Sequence, residues 1–337
     1  MRFVLLEAYP LLYVNHLKRL RLLFITHLNQ LYSASSMVKF TFLGTSSMVP
    51  TKERNVSGIC LEYDGEFMLI DCGEGTQRQM NMAGLNRNKV KKIFITHWHA
   101  DHVAGIMGLI QTIGNKDNDI HLDIYGPKGS QEHFDHLLKA SVFDQQLDIV
   151  VHEIDVGEEI KKIHDSKKYE IWAIMLNHST PTLGYRFVEK DRRKMKLKEL
   201  EKLGVPPGPL FSKLQRGYDV TCKGKKIKTD DVTTIVHGKK IAFVADTRFC
   251  QQAIELATDV DVVVAEATYS GHEEEKAHQF KHMTSQQSAQ VASMAGAKKL
   301  YLTHFSQRYK SLNELHEEAK NVFPETFIAN DLNTVKL

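Results

Sequence analysis

The sequence has little that would anchor it in a membrane, staple it covalently or charge it strongly. It contains no run of about eighteen apolar residues, so no membrane span and no membrane partner are expected. Its four cysteines, Cys60, Cys72, Cys222 and Cys250, are widely scattered and form no Cys-x-x-Cys pair. That excludes a disulfide framework and a thiolate zinc site, and a reducing, cytoplasmic location is the simplest expectation. The excess of positive charge is only +3 over 337 residues. It is unevenly spread, however. Residues 190–228 carry thirteen Lys or Arg against four Asp or Glu, a local balance of +9, which leaves −6 for the rest. So strong a basic segment suits a polyanionic partner better than a merely solvated face does.

With 42% hydrophobic and 25% charged residues, the chain is long enough for one large α/β domain or two smaller ones. Residues 1–36 differ from the rest: Leu-rich, with Lys18, Arg19 and Arg21 and the single acid Glu7. They read as an N-terminal extension (a basic amphipathic targeting helix without a clean signal-peptide layout, a disordered appendage, or the product of a start codon assigned too early), with the folded domain (37–337) beginning near Met37. From there strand and helix patterns alternate. Residues 59–63 and 67–70 flank an Asp64-Gly65 turn and form a hairpin. Strands are expected at 39–45, 91–96, 120–125, 171–176, 240–245, 260–265 and 299–303. Helices are expected at 103–113, 194–203 and 285–295, the second carrying Leu197, Leu200 and Leu203 and stopped by Gly204 and the prolines after it.

The densest chemistry lies in Thr96-His97-Trp98-His99-Ala100-Asp101-His102, directly after the apolar Ile93-Phe94-Ile95. A strand end fixes the first two imidazoles, and the following turn and helix start aim Asp101 and His102 at a second point nearby. Donors converging on two neighbouring points suit a pair of zinc-like ions. Other strands also end in metal-binding residue types: Asp71, His178, Asp246, Glu266 and His304. Two sheets packed face to face with helices outside would gather these ends along one edge. His121, His133, His136, His152 and His164 lack that context and read as surface or packing residues.

Taken together, these residues resemble the metallo-β-lactamase superfamily and, within it, the RNase Z (tRNase Z) family of tRNA 3′-processing endonucleases. The resemblance runs from Met37 to the C-terminus. Pro50-Thr51-Lys52-Glu53-Arg54-Asn55 matches the family's Pro-x-Lys-x-Arg-Asn loop, His178-Ser179-Thr180 its His-Ser-Thr loop, and residues 302–309 its last metal-ligand strand. Gly208-Pro209-Leu210 stands where the family carries an RNA-binding arm. One departure is visible: the family's His-Glu-Ala-Thr motif reads Ala265-Glu266-Ala267-Thr268.

The resemblance implies an αββα sandwich of two mixed sheets with a protruding basic arm at about 190–228. It implies two zinc ions per subunit, one held by His97, His99 and His178, the other by Asp101, His102 and His304, with Asp246 between them. The reaction implied is hydrolytic removal of the 3′ trailer of precursor tRNA by two-metal activation of water. It leaves a tRNA 3′ hydroxyl and a 5′-phosphorylated trailer. Asp101 would orient the water, and Glu266 with His282 would protonate the leaving oxygen. Lys52, Arg54, Asn55, Ser179, Thr180, Gly208, Pro209 and Arg308 would contact substrate, and Asp71 would orient a metal-bound histidine. A homodimer is implied as well. The alternatives are a superfamily hydrolase acting on a thioester, lactam or sulfate ester, and a non-catalytic RNA-binding module.

Overall fold

The computed structural model describes residues 37–113, 121–142 and 147–337. The expected extension at 1–36 lies outside the described residues. The chain divides into two compact units. One comprises Met37–Lys190 with Lys239–Leu337, and the other includes Asp191–Gly238. Among the described residues no helix is long and apolar enough to cross a membrane.

The strands of the larger unit begin with β1 (Lys39–Gly44), β2 (Ser46–Ser47), β3 (Gly58–Tyr63), β4 (Glu66–Cys72) and β5 (Val90–Phe94). They continue with β6 (His121–Pro127), β7 (Asp148–Ile154), β8 (Lys161–Asp165), β9 (Tyr169–Leu176) and β10 (Thr182–Glu189). The smaller unit contributes β11 (Arg192–Met195), β12 (Val220–Cys222), β13 (Lys225–Ile227) and β14 (Thr233–Val236). The larger unit resumes with β15 (Lys240–Val244), β16 (Val262–Glu266), β17 (Leu300–Thr303), β18 (Phe305–Ser306), β19 (Thr326–Ile328) and β20 (Thr334–Lys336). Two mixed seven-stranded sheets result, ordered β20-β1-β3-β4-β5-β6-β7 and β19-β17-β16-β15-β10-β9-β8.

The two-residue strand period explains the layering. Phe94, Val262 and Val264 point into the cluster between the sheets, with Phe40, Phe42, Tyr185 and Phe243. Their neighbours Ile93 and Ile95 point the other way, into a cluster with Leu109 and Phe134. Val263 and Ala265 likewise point to a third cluster with Leu256, Ala289 and Leu315. Helices therefore cover both outer faces, as expected. Strands buried on both faces read as continuous apolar runs rather than alternation.

The structure departs from the expected elements in several places, three of which matter most. The helix expected at 103–113 is split into Ala100–Val103 and Ile106–Ile110. Its break is a backbone contact: Gly105 N–H donates to Cys72 O at 2.9 Å, and a Cβ on Gly105 would sit 2.1 Å from Gly73 O. Only glycine permits that approach, and it ties the segment carrying Asp101 and His102 to the end of β4. The helix expected at 194–203 is confined to Leu197–Lys202, because residues 192–195 pair with β14. Third, β10, central to the second sheet, was not foreseen.

The smaller unit has its own core of Met195, Leu200, Val205, Phe211, Leu214, Val220, Ile227 and Val232. It reaches Gly238, beyond Lys228 where the basic run stops. Its ends meet, since Gly238 N–H donates to Asp191 Oδ1 at 2.9 Å. Lys194, Lys196, Lys202, Lys213, Lys225 and Lys226 are exposed.

Candidate metal centre

The catalytic candidates sit at one end of the larger unit because the strands that carry them run the same way. β4 and β5 are parallel, as are β15, β16 and β17. β9 shares their direction through two antiparallel pairings across β10. Asp71 lies near the end of β4, while His97, His178, Asp246 and His304 follow β5, β9, β15 and β17. Glu266 closes β16. Functional groups collect at such strand ends.

Two donor groups form there. His97, His99, His178 and Asp246 make the first, and Asp101, His102 and His304 the second; Asp246 and His304 also lie within reach of His282, which is paired with Glu266. His97 Nε2 lies 2.9 Å from His99 Nδ1. Asp246 Oδ2 lies 3.7 Å from His97 Nε2, 3.9 Å from His178 Nε2 and 3.5 Å from His102 Nε2. Its other oxygen is 3.4 Å from His304 Nε2. Asp246 therefore faces both groups. In the second group, Asp101 Oδ2 stands 3.5 Å from both His102 Nε2 and His304 Nε2, and Met48 N–H steadies it at 2.8 Å.

In four of the five histidines the nitrogen turned away from the centre is held. His102 Nδ1 bonds Asp71 Oδ2 at 2.7 Å, and His178 Nδ1 donates to Lys281 O at 2.9 Å. His97 Nδ1 and His304 Nδ1 meet the hydroxyls of Thr96 and Thr268, at 3.0 and 2.9 Å. Such outward bonds leave the inner nitrogen as a lone pair. The case is plainest at His178, whose buried Nε2 has no hydrogen-bond partner and looks toward a carboxylate. Two lone pairs facing each other need a cation between them, so this donor set fits a divalent metal.

The electrostatics agree. Burial, with His102 adding to it, holds His97 well below its usual pKa, and burial also lowers His99 and His178. These three are neutral donors at pH 7. Burial would raise Asp246, but His304, His102 and His97 override it and hold the carboxyl well below its usual range. Burial opposes a charge on His102 too, yet Asp246, Asp71 and Asp101 raise it. Positive charge is thus favoured at that corner, as a proton or as a metal ion. Beside the centre, His282 Nδ1 lies 3.0 and 3.1 Å from the Glu266 oxygens. Burial would lower His282, but Glu266 outweighs it and raises the imidazole to about 9.

The remaining expected residues are scattered in role. Lys52 and Ser179 are exposed, and Thr180 is half-buried. Arg54 is turned inward: its fork donates to Thr45 Oγ1, Ala329 O and Asn330 Oδ1, and the guanidinium lies over Phe305. Asn55 donates to Glu74 O. Arg308 pairs with Glu273. Gly208 and Pro209 open the helix Pro209–Gln215 of the smaller unit. Asp71 meets Nδ1 of His102, one of the candidate ligands. Ala265, where the family has His, is fully buried on the helix-facing side of β16, opposite Glu266, so that departure does not touch the centre. Sequence reasoning missed Thr96, Thr268, Met48 N–H and Lys281 O. Backbone groups leave no trace in sequence, and the two threonines stood inside quoted motifs without an assigned role.

Comparison with known proteins follows the same lines. A model of the beta-lactamase superfamily domain matches residues 223–305, and one of the anti-Pycsar protein Apyc1 matches residues 38–183. Ribonuclease Z of Methanothermobacter thermautotrophicus is 41% identical over 302 residues, covering 89% of this chain and 97% of its own. The chain belongs to the ribonuclease Z family. The family's ribonuclease Z from Pyrococcus horikoshii is 37% identical over 89% of this chain and 96% of its own. The crystal structure of human tRNase Z, short form, superposes with a TM-score of 0.65 at 27% identity, covering 88% of this chain and 98% of that one. Metal binding goes with this family and fold, and the His/Asp groups gathered at these strand ends could provide it here.

Proposed function

We propose that this protein is a zinc-dependent endoribonuclease that removes the 3′ trailer from precursor tRNA. Two zinc ions per subunit would be held at the centre, the first by His97, His99 and His178 and the second by Asp101, His102 and His304, with Asp246 available to both. Divalent ions held there supply a Lewis acid for the phosphate and lower the pKa of water to about 7. Asp101, steadied by Met48 N–H, accepts a hydrogen bond from the attacking water and orients it. The water oxygen bonds to phosphorus as the bond to the ribose 3′ oxygen breaks. His282, its Nδ1–H held by Glu266, gives the Nε2 proton to that oxygen. The products are a tRNA 3′ hydroxyl and a trailer with a 5′ phosphate.

The Glu266–His282 pair beside a two-part His/Asp centre is the observation that carries this reading. An alkoxide leaving group needs a proton at neutral pH, and the contact of His282 with Glu266 supports that imidazole as its source. A thioester hydrolase would release a thiolate that needs none.

Lys52, Ser179 and Thr180 contact the RNA beside the centre. Arg54 and Asn55 act by shaping the loops around it, since their polar groups are engaged within the fold, while the exposed Arg308, paired with Glu273 at the surface, contacts the RNA. The basic unit with Gly208 and Pro209 grips the tRNA through its backbone and shape. The protein works as a homodimer in the cytoplasm, where its four free cysteines stay reduced.

The test is cleavage-site mapping on one precursor tRNA with zinc-loaded protein. A single cut leaving a 3′ hydroxyl on the tRNA is expected. His282→Ala should bind the precursor as before while turnover collapses. Hydrolysis of a thioester or lactam with the precursor left intact would overturn the assignment.

A further inference from the structure

Thr268 is 3% exposed, and its hydroxyl is surrounded by partners. Glu266 Oε2 lies 2.6 Å away, His304 Nδ1 2.9 Å, His304 O 3.1 Å and His282 Nδ1 3.3 Å. The hydroxyl has one proton to give. A buried carboxylate at the shortest distance is the strongest acceptor present, so the proton goes to Glu266. The oxygen then presents only lone pairs to His304 Nδ1, and contact at 2.9 Å requires that nitrogen to carry the hydrogen. The tautomer of His304 is thereby set: Nδ1 protonated, Nε2 bare and facing Asp101 and Asp246.

The same chain recurs on the other side of the centre. Thr96 Oγ1 donates to Asp71 at 2.8 Å and meets His97 Nδ1 at 3.0 Å. Each donor group thus has one histidine oriented through a carboxylate–hydroxyl–imidazole chain. The two are not equivalent. Asp71 also binds His102, another metal-site histidine, whereas Glu266 also binds His282. Thr247 N–H completes the Glu266 site at 2.7 Å.

We propose that Thr268 is a positioning residue, which holds His304 in its metal-ligating tautomer and joins the carboxylate of the Glu266–His282 pair to the second metal position. This rests on the metal-binding reading of the centre and not on the identity of the RNA substrate. Thr268→Val keeps the shape and removes the hydroxyl, and Thr268→Ser restores the hydroxyl.

The experiment is chelator competition on the full-length protein with zinc, paired with the visible absorption spectrum of the cobalt-substituted forms. Removing an orienting partner of a ligand lowers metal affinity by about 10–100-fold. The valine variant should lose that much for one of two ions and show an altered cobalt spectrum, while the serine variant stays close to wild type in both. If the valine variant does not fold, Thr268→Ala is measured with the same expectation. Wild-type affinity in the valine or alanine variant, or a serine variant as impaired as they are, would overturn the proposal. Wild-type protein that binds two ions yet leaves precursor tRNA intact would overturn the proposed substrate alone, and protein that binds no divalent ion would overturn both.

Discussion

Replacing Asp71 by Asn separates the charge of the buried carboxylate from its shape. Asp71 is 4% exposed and takes three hydrogen bonds on two oxygens: Thr96 N–H at 2.8 Å, Thr96 Oγ1–H at 2.8 Å and His102 Nδ1–H at 2.7 Å. Asparagine offers one acceptor oxygen and brings two N–H donors. If its oxygen faces Thr96, its amide faces His102 Nδ1. That histidine must then accept there and carry its proton on Nε2, where a metal ligand needs a lone pair. If the oxygen faces His102, Thr96 loses its acceptor in the interior. A buried donor left without a partner costs about 1–3 kcal/mol. Orienting partners of ligands are worth about 10–100-fold in metal affinity, equivalent to about 1.4–2.7 kcal/mol. The backbone does not confound the comparison, because Asp71 has φ 60° and Asn accepts the left-handed region as readily. The assay is chelator competition at pH 7 together with denaturant midpoints measured with and without metal. The variant should lose stability in both conditions, and more with metal present. Wild-type metal affinity in Asp71→Asn would refute the orienting role.

Asp246→Ala should leave fewer than two zinc ions per chain by elemental analysis, and full occupancy would refute its bridging position. Arg54→Ala should cost about 2–3 kcal/mol, since it strands acceptors at Thr45, Ala329 and Asn330. An unchanged denaturant midpoint with weakened tRNA binding would restore a direct contact role for Arg54. Residues 191–238 can be excised with a short glycine joint, because Asp191 and Gly238 touch. The product should cleave a small phosphodiester but bind tRNA far more weakly, and with about six phosphate contacts the intact protein should lose affinity steeply with salt. Loss of both activities would show the unit to be part of the catalytic body. Burial pushes Glu273 up, but Lys276, Tyr309 and Arg308 outweigh it and hold the carboxyl at about 2, below its ordinary 4.5. A depressed carboxylate stabilises above its unfolded pKa and loses that contribution as pH falls from about 4.5 to about 2. The difference in unfolding free energy between wild type and Glu273→Gln, about 1 kcal/mol at pH 7, should close over that window when followed by denaturant unfolding. A gap that ignores pH would refute the charge effect.

Residues that act through short spacing were legible before any coordinates. His97, His99, Asp101 and His102 are placed by one strand end and one turn. The strands around them follow from apolar runs buried on both faces. His178, Asp246 and His304 were legible because each ends such a run. Elements without a local signature were not. Strand β11 exists because it pairs with β14, and the break at Gly105 exists because Gly73 lies against it.

By itself the sequence determined which donors this protein owns, and at which strand ends. Backbone periodicity and covalent spacing are properties of neighbours along the chain. Only the tertiary structure decided what each donor faces. It turned Arg54 inward, placed Ala265 on the face away from the centre, and put Thr96 and Thr268 behind His97 and His304. A hydrogen bond is directional and short, so its partner is chosen by the packing of distant segments, to within a few tenths of an ångström.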